Sequence, residues 1–117
     1  MNKLKVGVIG LGFMGDLHAN VYSTLPNVEL VGIADKDINK KELADKYNTK
    51  FYDNYFDLLK TDVEAISVCL PDRNHVQTCC DVADSKKHIL VEKPIAHDFT
   101  SANKIIENCK KNKVRLM

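Results

Sequence analysis

Three glycines near the amino terminus, Gly10, Gly12 and Gly15, form the pattern G-x-G-x-x-G. The pattern follows an apolar run and opens an amphipathic segment, which is the strand–turn–helix context that makes it informative. There Gly10 allows the tight turn, Gly12 lets a pyrophosphate approach the backbone, and Gly15 lets the helix pack closely on the strand. The N-terminus of the following helix offers unpaired N–H groups to the anion, so Phe13 and Met14 are further cofactor-binding candidates. The sequence therefore predicts a dinucleotide-binding loop; the alternative is a glycine-rich turn without a ligand.

An acidic residue, Asp35, lies twenty residues beyond Gly15, at the end of the second predicted strand. A carboxylate there can accept hydrogen bonds from the two hydroxyls of an adenosine ribose and repels a 2′-phosphate, which favours NAD over NADP. Lys36 is the next residue and softens this discrimination, so NADP is the alternative cofactor. The competing interpretation of Asp35 is a helix N-cap, a role that Asp37 fills equally well.

Strands and helices must alternate to position these residues. Apolar runs predict strands over 4–9, 28–34, 51–52, 65–69, 89–91 and 114–117. Apolar residues spaced three and four apart predict helices over 14–25, 43–47, 76–83 and 102–109, with a brief helical turn over 55–59. In the first helix we expect the apolar set to face the sheet: Met14, Leu17, Val21 and Leu25. The alternation predicts an α/β fold, a doubly wound parallel sheet in three layers of the Rossmann type.

The composition fits one domain over residues 1–117, with 44% hydrophobic and 28% charged residues and a formal net charge of +1. Without a long Lys and Arg run, neither nucleic acid nor an anionic membrane is an expected partner. No apolar stretch approaches the ~20 residues that span a bilayer. The four cysteines form no C-x-x-C pair, so we expect neither disulfides nor a metal site, and a reducing, cytoplasmic setting. The last apolar segment ends abruptly at Met117, which predicts a fragment of a longer protein.

Two further motifs follow predicted strands: Pro71-Asp72-Arg73-Asn74-His75 and Glu92-Lys93-Pro94. Together with the segment from Gly10 to Ala19, they resemble in order and spacing the signatures of the glucose-fructose oxidoreductase, inositol dehydrogenase and rhizopine-catabolism (Gfo/Idh/MocA) oxidoreductases. The resemblance covers nearly the whole chain but only the family's N-terminal dinucleotide-binding half. It implies that a C-terminal substrate domain is absent from these residues.

The resemblance puts Glu92 near the nicotinamide ribose, Lys93 at the reacting carbon, and Pro94 in a turn that is often cis. Lys93 is the catalytic candidate, because a lysine there can hydrogen-bond a substrate hydroxyl or carbonyl and help its proton move as hydride is transferred. The competing interpretation is a solvated surface lysine.

The loop from Leu70 to His75 is expected beside the ribose and nicotinamide, which makes Leu70, Pro71, Asn74 and His75 cofactor-binding candidates. The family commonly has Thr-Pro-Asn where this chain has Leu70-Pro71-Asp72, a departure that puts a specific hydrogen bond from position 70 in doubt. For His75, a structural role near the helix N-terminus is at least as well supported as ligand contact. His18, one turn into the first helix, is expected to be structural.

The resemblance implies an NAD(P)-dependent oxidoreductase that transfers hydride to or from a sugar, polyol or sugar derivative. We expect this chain alone to be inactive and the full-length protein to form a homo-oligomer. An alternative is a stand-alone NAD-binding regulatory module, and a weaker one is a methyl-donor-binding domain; Glu92-Lys93-Pro94 argues against both.

Overall fold

The computed structural model, which describes residues 2–71, 73 and 75–117, contains a parallel sheet of five strands between two layers of helices. The elements in chain order are β1 (Leu4–Ile9), α1 (Phe13–Thr24), β2 (Val28–Ala34), a 3₁₀ turn (Ile38–Lys41), α2 (Glu42–Lys46), β3 (Phe51–Tyr52), α3 (Tyr55–Leu59), β4 (Ala65–Val68), α4 (His75–Asp84), β5 (His88–Val91) and α5 (Phe99–Asn112). The strand order is β3-β2-β1-β4-β5, and each neighbouring pair is parallel. The predicted doubly wound α/β fold is confirmed.

Two apolar clusters, one on each face of the sheet, form the core. Side chains alternate between the faces along β1, so Val6 and Val8 pack toward α1 and α2, whereas Ile9 packs toward α3, α4 and α5. On the second face Val82 of α4 and Ile105 of α5 are fully buried. Because both faces of the central strands are covered, β1 and β4 are mostly apolar rather than alternating, with Ser67 the polar residue buried in β4.

The strand order reverses between β1 and β4. The chain winds outward from β1 to β3 on one side, then crosses through α3 to β4 on the other. The connections leaving β1 and β4 therefore diverge, which opens a crevice at the carboxyl ends of the strands. Ligands bind at this position in open α/β sheets.

The last apolar segment forms less structure than the predicted sixth strand. Only an isolated parallel bridge joins Leu116 to Ile89, although the N–H of Ile89 donates to the carbonyl of Arg115 at 2.9 Å and that of Met117 donates to Ile89 at 2.9 Å. A single bridge, without a second one adjacent to it, does not make a regular strand. The sheet of the described residues therefore has five strands.

The helix predicted over 14–25 is present, but the predicted orientation of its apolar face is wrong. All four residues expected to face the sheet are exposed: Met14, Leu17, Val21 and Leu25. The buried face of α1 instead carries Gly15 and Ala19. Small residues there bring the helix axis close to the sheet, and the larger apolar side chains are left on its outer flank. Within the described residues, no helix combines the length and apolar character needed to cross a membrane.

Candidate cofactor and catalytic site

The glycine loop joins β1 to α1 at the carboxyl edge of the sheet. Gly10 has φ +93°, and a Cβ on it would lie 2.8 Å from the carbonyl oxygen of Cys69, so a larger residue is strained there. A Cβ on Gly15 would lie 1.7 Å from the carbonyl oxygen of Gly10. The predicted tight turn and close helix approach are therefore present in the structure.

Gly12 differs from the other two glycines, because a Cβ built on it meets no atom within 4 Å. It is the N-cap of α1 and has no side chain to bond the first-turn N–H groups. Phe13 is 84% exposed and Met14 37% exposed, so this helix end is open to solvent. The loop thus leaves a free approach to backbone donors, which fits a pyrophosphate.

Asp35 anchors the glycine loop to the end of β2. Its Oδ2 accepts from the backbone N–H of Leu11 at 2.7 Å, and its Oδ1 accepts from the N–H of Asp37 at 2.8 Å. Each carboxylate oxygen has a second lone pair, so both remain able to accept a ribose hydroxyl. Asp37, not Asp35, caps the 3₁₀ turn by accepting from the N–H of Asn39. The alternative interpretation of Asp35 as the N-cap therefore does not hold, because Asp37 has this role.

A cleft of about 700 Å³ runs from this carboxylate across the strand ends. It includes five of the predicted cofactor residues: Gly10, Asp35, Lys36, Leu70 and Pro71. Its remaining wall contains residues that the sequence reasoning missed, chiefly Asp53, Asn54, Tyr55, Phe56 and Arg73. The signal that could have found the first four is their position directly after the short strand β3, whereas Arg73 lies in the loop after β4.

Tyr55 and Phe56 form the aromatic wall of this cleft, with ring centroids 4.7 Å apart. Burial and a hydrogen bond from the Tyr55 hydroxyl to the Asp81 carboxylate raise the pKa of Tyr55 to about 12. Tyr55 is therefore fixed as a neutral phenol. The rings are tilted by 33° to each other, and an exposed ring face at this place in the cleft can accept an adenine ring.

The loop after β4 carries the next predicted residues. His75 is 1% exposed, and its Nε2 lies 2.6 Å from the carbonyl oxygen of Leu70. Its Nδ1 lies 2.9 Å from the carbonyl oxygen of Pro94. The side chain thus joins the loop after β4 to the turn after β5, which is the structural role and not direct exposure to the cleft. Asn74 lies outside the described residues.

Glu92, Lys93 and Pro94 form the turn after β5, one strand further along the same edge. The N–H of Glu92 donates to the carbonyl of Val68 at 3.0 Å, and the Lys93–Pro94 peptide bond is cis, as the resemblance implies. Lys93 is exposed, whereas the Glu92 side chain is 28% exposed. These residues are not part of the cleft wall. They follow β5, which lies beside β4 at the edge of the sheet.

Glu92 has a partner that the sequence did not reveal. His18 of α1 is in hydrogen-bond contact through Nε2 with Glu92 Oε2 at 3.0 Å and through Nδ1 with Ser67 Oγ at 3.0 Å. The Tyr22 hydroxyl lies 2.6 Å from the same Ser67 oxygen. His18 is spaced three and four residues from Gly15 and Tyr22, so its helical position was readable, but the partner it faces was not.

The chain matches known proteins over nearly its whole length. The sequence profile of a family described as "Oxidoreductase family, NAD-binding Rossmann fold" matches residues 4–117. The inositol 2-dehydrogenase of Rubrobacter xylanophilus is 33% identical over 90% of this chain and 31% of its own length. The myo-inositol 2-dehydrogenase of Thermotoga maritima is 30% identical over 97% of this chain and 35% of its own length. The chain thus spans about a third of the length of these relatives.

Solved structures give the same match in three dimensions. GenD2 from gentamicin A biosynthesis, in complex with NAD, superposes with a TM-score of 0.94 at 28% identity and covers 99% of this chain and 34% of its own. A 3-ketoreductase from Actinomadura kijaniata, in complex with TDP-benzene and NADP, gives a TM-score of 0.89 at 26% identity over 99% of this chain and 37% of its own. The structural relatives therefore include proteins holding either dinucleotide.

Proposed function

The chain belongs to the Gfo/Idh/MocA oxidoreductase family, as its NAD-binding Rossmann domain, and we propose from this premise that the complete protein transfers hydride between NAD(H) and a sugar, polyol or sugar derivative. The substrate class is supported by the inositol dehydrogenases among its relatives and by a D-glucoside 3-dehydrogenase of Escherichia coli that is 31% identical over 92% of this chain. The substrate-binding part lies outside these 117 residues in this proposal, and so does the surface for homo-oligomerisation.

The observation that carries the proposal is the arrangement around Asp35. The carboxylate is tied to the glycine loop through Leu11, and the loop leaves Gly12 open to a ligand. The residue proposed to bind the adenosine ribose and the loop proposed to bind the pyrophosphate are thus joined by a hydrogen bond, and displacement of either would shift the other. An extended dinucleotide fits along this edge with its adenine at the aromatic wall and its nicotinamide toward Lys93.

The preference for NAD follows from the charges in the cleft. Asp35 accepts ribose hydroxyls and repels a 2′-phosphate. Lys36 and Arg73 are exposed cations in the same cleft and act in the opposite direction. We assign the larger effect to Asp35, because its carboxylate is fixed by two backbone bonds, whereas exposed cations are mobile and screened by solvent.

The bound nicotinamide supplies the hydride acceptor and donor. Lys93 is proposed to hydrogen-bond the reacting oxygen of the substrate and to hold or release its proton. A substrate alcohol loses a hydride from carbon and a proton from oxygen, so a positioned amine beside the oxygen matches the chemistry. Glu92 is proposed to accept from the nicotinamide ribose through Oε1, since its Oε2 faces His18.

The test has two stages. Calorimetric titration of the 117-residue chain should give saturable binding of NADH that ADP-ribose competes away, with no oxidation of inositol or glucosides. The complete protein, given the same polyols with NAD, should produce reduced cofactor. Absence of NADH binding to the folded chain would contradict the binding assignment, and binding without turnover by the complete protein would instead favour a regulatory module.

A further inference from the structure

The contacts of His18 form a chain of four polar side chains, of which the proposed function uses only Glu92. The chain runs from Tyr22 through Ser67 and His18 to Glu92, with separations of 2.6, 3.0 and 3.0 Å. Ser67 is 1% exposed, and the His18 and Glu92 side chains are 14% and 28% exposed. A polar group shielded from water destabilises the protein unless its donors and acceptors are paired. This requirement limits where the protons of the four side chains can lie.

The donor count fixes one direction for a neutral imidazole. An ionised Glu92 only accepts, so His18 must carry its proton on Nε2. Its Nδ1 then accepts a hydrogen bond from the Ser67 hydroxyl, which leaves the Ser67 oxygen to accept one from the Tyr22 hydroxyl. Every group is satisfied in this arrangement. The Glu92 carboxylate therefore selects the tautomer, and its loss would free His18 to carry the proton on Nδ1.

We infer that His18 is a positioning residue for Glu92: its Nε2–H donates to Glu92 Oε2, and Ser67, itself bonded to Tyr22, holds the imidazole ring through Nδ1. The inference rests on the proposed function in one respect, that Glu92 serves the nicotinamide ribose. Glu92 lies on a turn and is partly exposed, so its carboxylate has several orientations open to it when nothing holds it. The bond from His18 fixes Oε2, because the imidazole is itself held by Ser67 at Nδ1 and meets the Tyr22 ring edge-on, with ring centroids 6.2 Å apart.

The role predicts an effect on one half of the ligand only. Asp35 and the aromatic wall serve the adenosine half, whereas Glu92 serves the nicotinamide half. His18→Phe should weaken NADH and ADP-ribose about tenfold, the value of one charge-assisted hydrogen bond, and leave ADP unchanged. His18→Gln, whose amide can still donate to Glu92, should restore part of the affinity.

A double-mutant cycle separates positioning from a general structural role. If His18 acts through Glu92, the pair His18→Phe with Glu92→Ala should bind NADH no more weakly than Glu92→Ala alone. His88→Phe removes an exposed imidazole at the opposite end of β5 and is the matched control, expected to bind all three ligands as the wild type does. Additive losses in the cycle, or an equal loss of ADP affinity, would overturn the inference.

Nitrogen-15 NMR of labelled histidine tests the tautomer without any ligand. In its neutral form the His18 imidazole should give the resonances of the Nε2–H tautomer, and Glu92→Ala should release that preference. An Nδ1–H tautomer in the wild type would overturn the inference even if NADH binds. Failure of the wild type to bind NADH, with the Nε2–H tautomer present, would refute the proposed function and leave the network intact.

If His18→Phe does not fold, Ser67→Ala takes its place in the affinity measurements. It should also lower the affinity for NADH and leave the affinity for ADP unchanged.

Discussion

The glycine loop offers two substitutions of the same chemistry with opposite expected consequences, Gly12→Ala and Gly15→Ala. Each adds one methyl group within the same turn. At Gly12 the new Cβ meets no protein atom within 4 Å, whereas at Gly15 it lies 1.7 Å from the carbonyl oxygen of Gly10. Gly12→Ala should therefore weaken binding and leave the free energy of unfolding almost unchanged, whereas Gly15→Ala should destabilise the fold.

The stability effect of Gly12→Ala is small because two terms oppose each other. Gly12 has φ −70° and ψ −161°, which alanine adopts without strain, so reduced freedom of the unfolded chain stabilises by about 0.4–1 kcal/mol. Alanine is a poorer N-cap than glycine, which costs a similar amount, roughly 0.5–1 kcal/mol. The free energy of unfolding should therefore stay within about 1 kcal/mol of the wild type. Gly15→Ala must instead displace backbone and should cost roughly 1–3 kcal/mol or more.

Gly12→Ala should change the NADH affinity much more than it changes the free energy of unfolding. The added methyl occupies the open approach to the N-terminus of α1 and separates the pyrophosphate from its backbone donors. Loss of one charge-assisted hydrogen bond of about 1.5–3 kcal/mol corresponds to an affinity loss of roughly 10- to 100-fold. Thermal unfolding paired with NADH titration measures both quantities. Unchanged NADH affinity in Gly12→Ala would refute the placement of the pyrophosphate, and a stable Gly15→Ala would refute the close approach of helix and loop.

Three further outcomes are expected. Asp35→Ser should weaken NAD by about tenfold or more through lost ribose bonds and narrow its gap to NADP, whereas Asp53→Ser, which removes a carboxylate from the same cleft, should not narrow it; calorimetry with both cofactors decides. In the complete protein, Lys93→Ala should lower kcat by about 10²–10⁴-fold with little change in NAD affinity, and Lys93→Arg should not rescue it, because guanidinium hardly deprotonates; near-normal kcat in the alanine variant would make Lys93 a surface lysine. Burial raises the pKa of the Cys79 thiol to about 12. At pH values well below that, iodoacetamide should label the half-buried Cys80 before Cys79. Mass spectrometry of digested peptides measures the order of labelling, and earlier labelling of Cys79 would contradict this expectation.

The parts of the fold that follow from local pattern were predictable. β1, β2 and β3 occupy the predicted residues, and α3 spans Tyr55–Leu59 as expected. Strands buried on both faces give continuous apolar runs, and glycines mark the turn after them, so each signal is contained within a few residues. The glycine loop and Asp35 were readable for the same reason.

Other parts depend on contacts between distant segments. His75 bonds Leu70 and the Pro94 turn, and Tyr55 lines a cleft with Arg73. No periodicity in one segment reports which segment lies opposite. The aromatic wall of the cleft was therefore missed and the role of His75 was left open, while the motifs around them were found.

The rotation of α1 illustrates how a close contact overrides an amphipathic pattern. An apolar stripe ordinarily faces the core, and Met14, Leu17 and Val21 formed such a stripe in the sequence. Gly15, however, must lie against Gly10, and this single approach fixes the helix about its axis. Residues three, four and seven positions later then face the sheet, which buries Ala19 and brings His18 and Tyr22 onto Ser67. The glycine that shapes the pyrophosphate loop thus also sets the helix face that reaches Glu92, so a change at Gly15 should disturb both halves of the dinucleotide site.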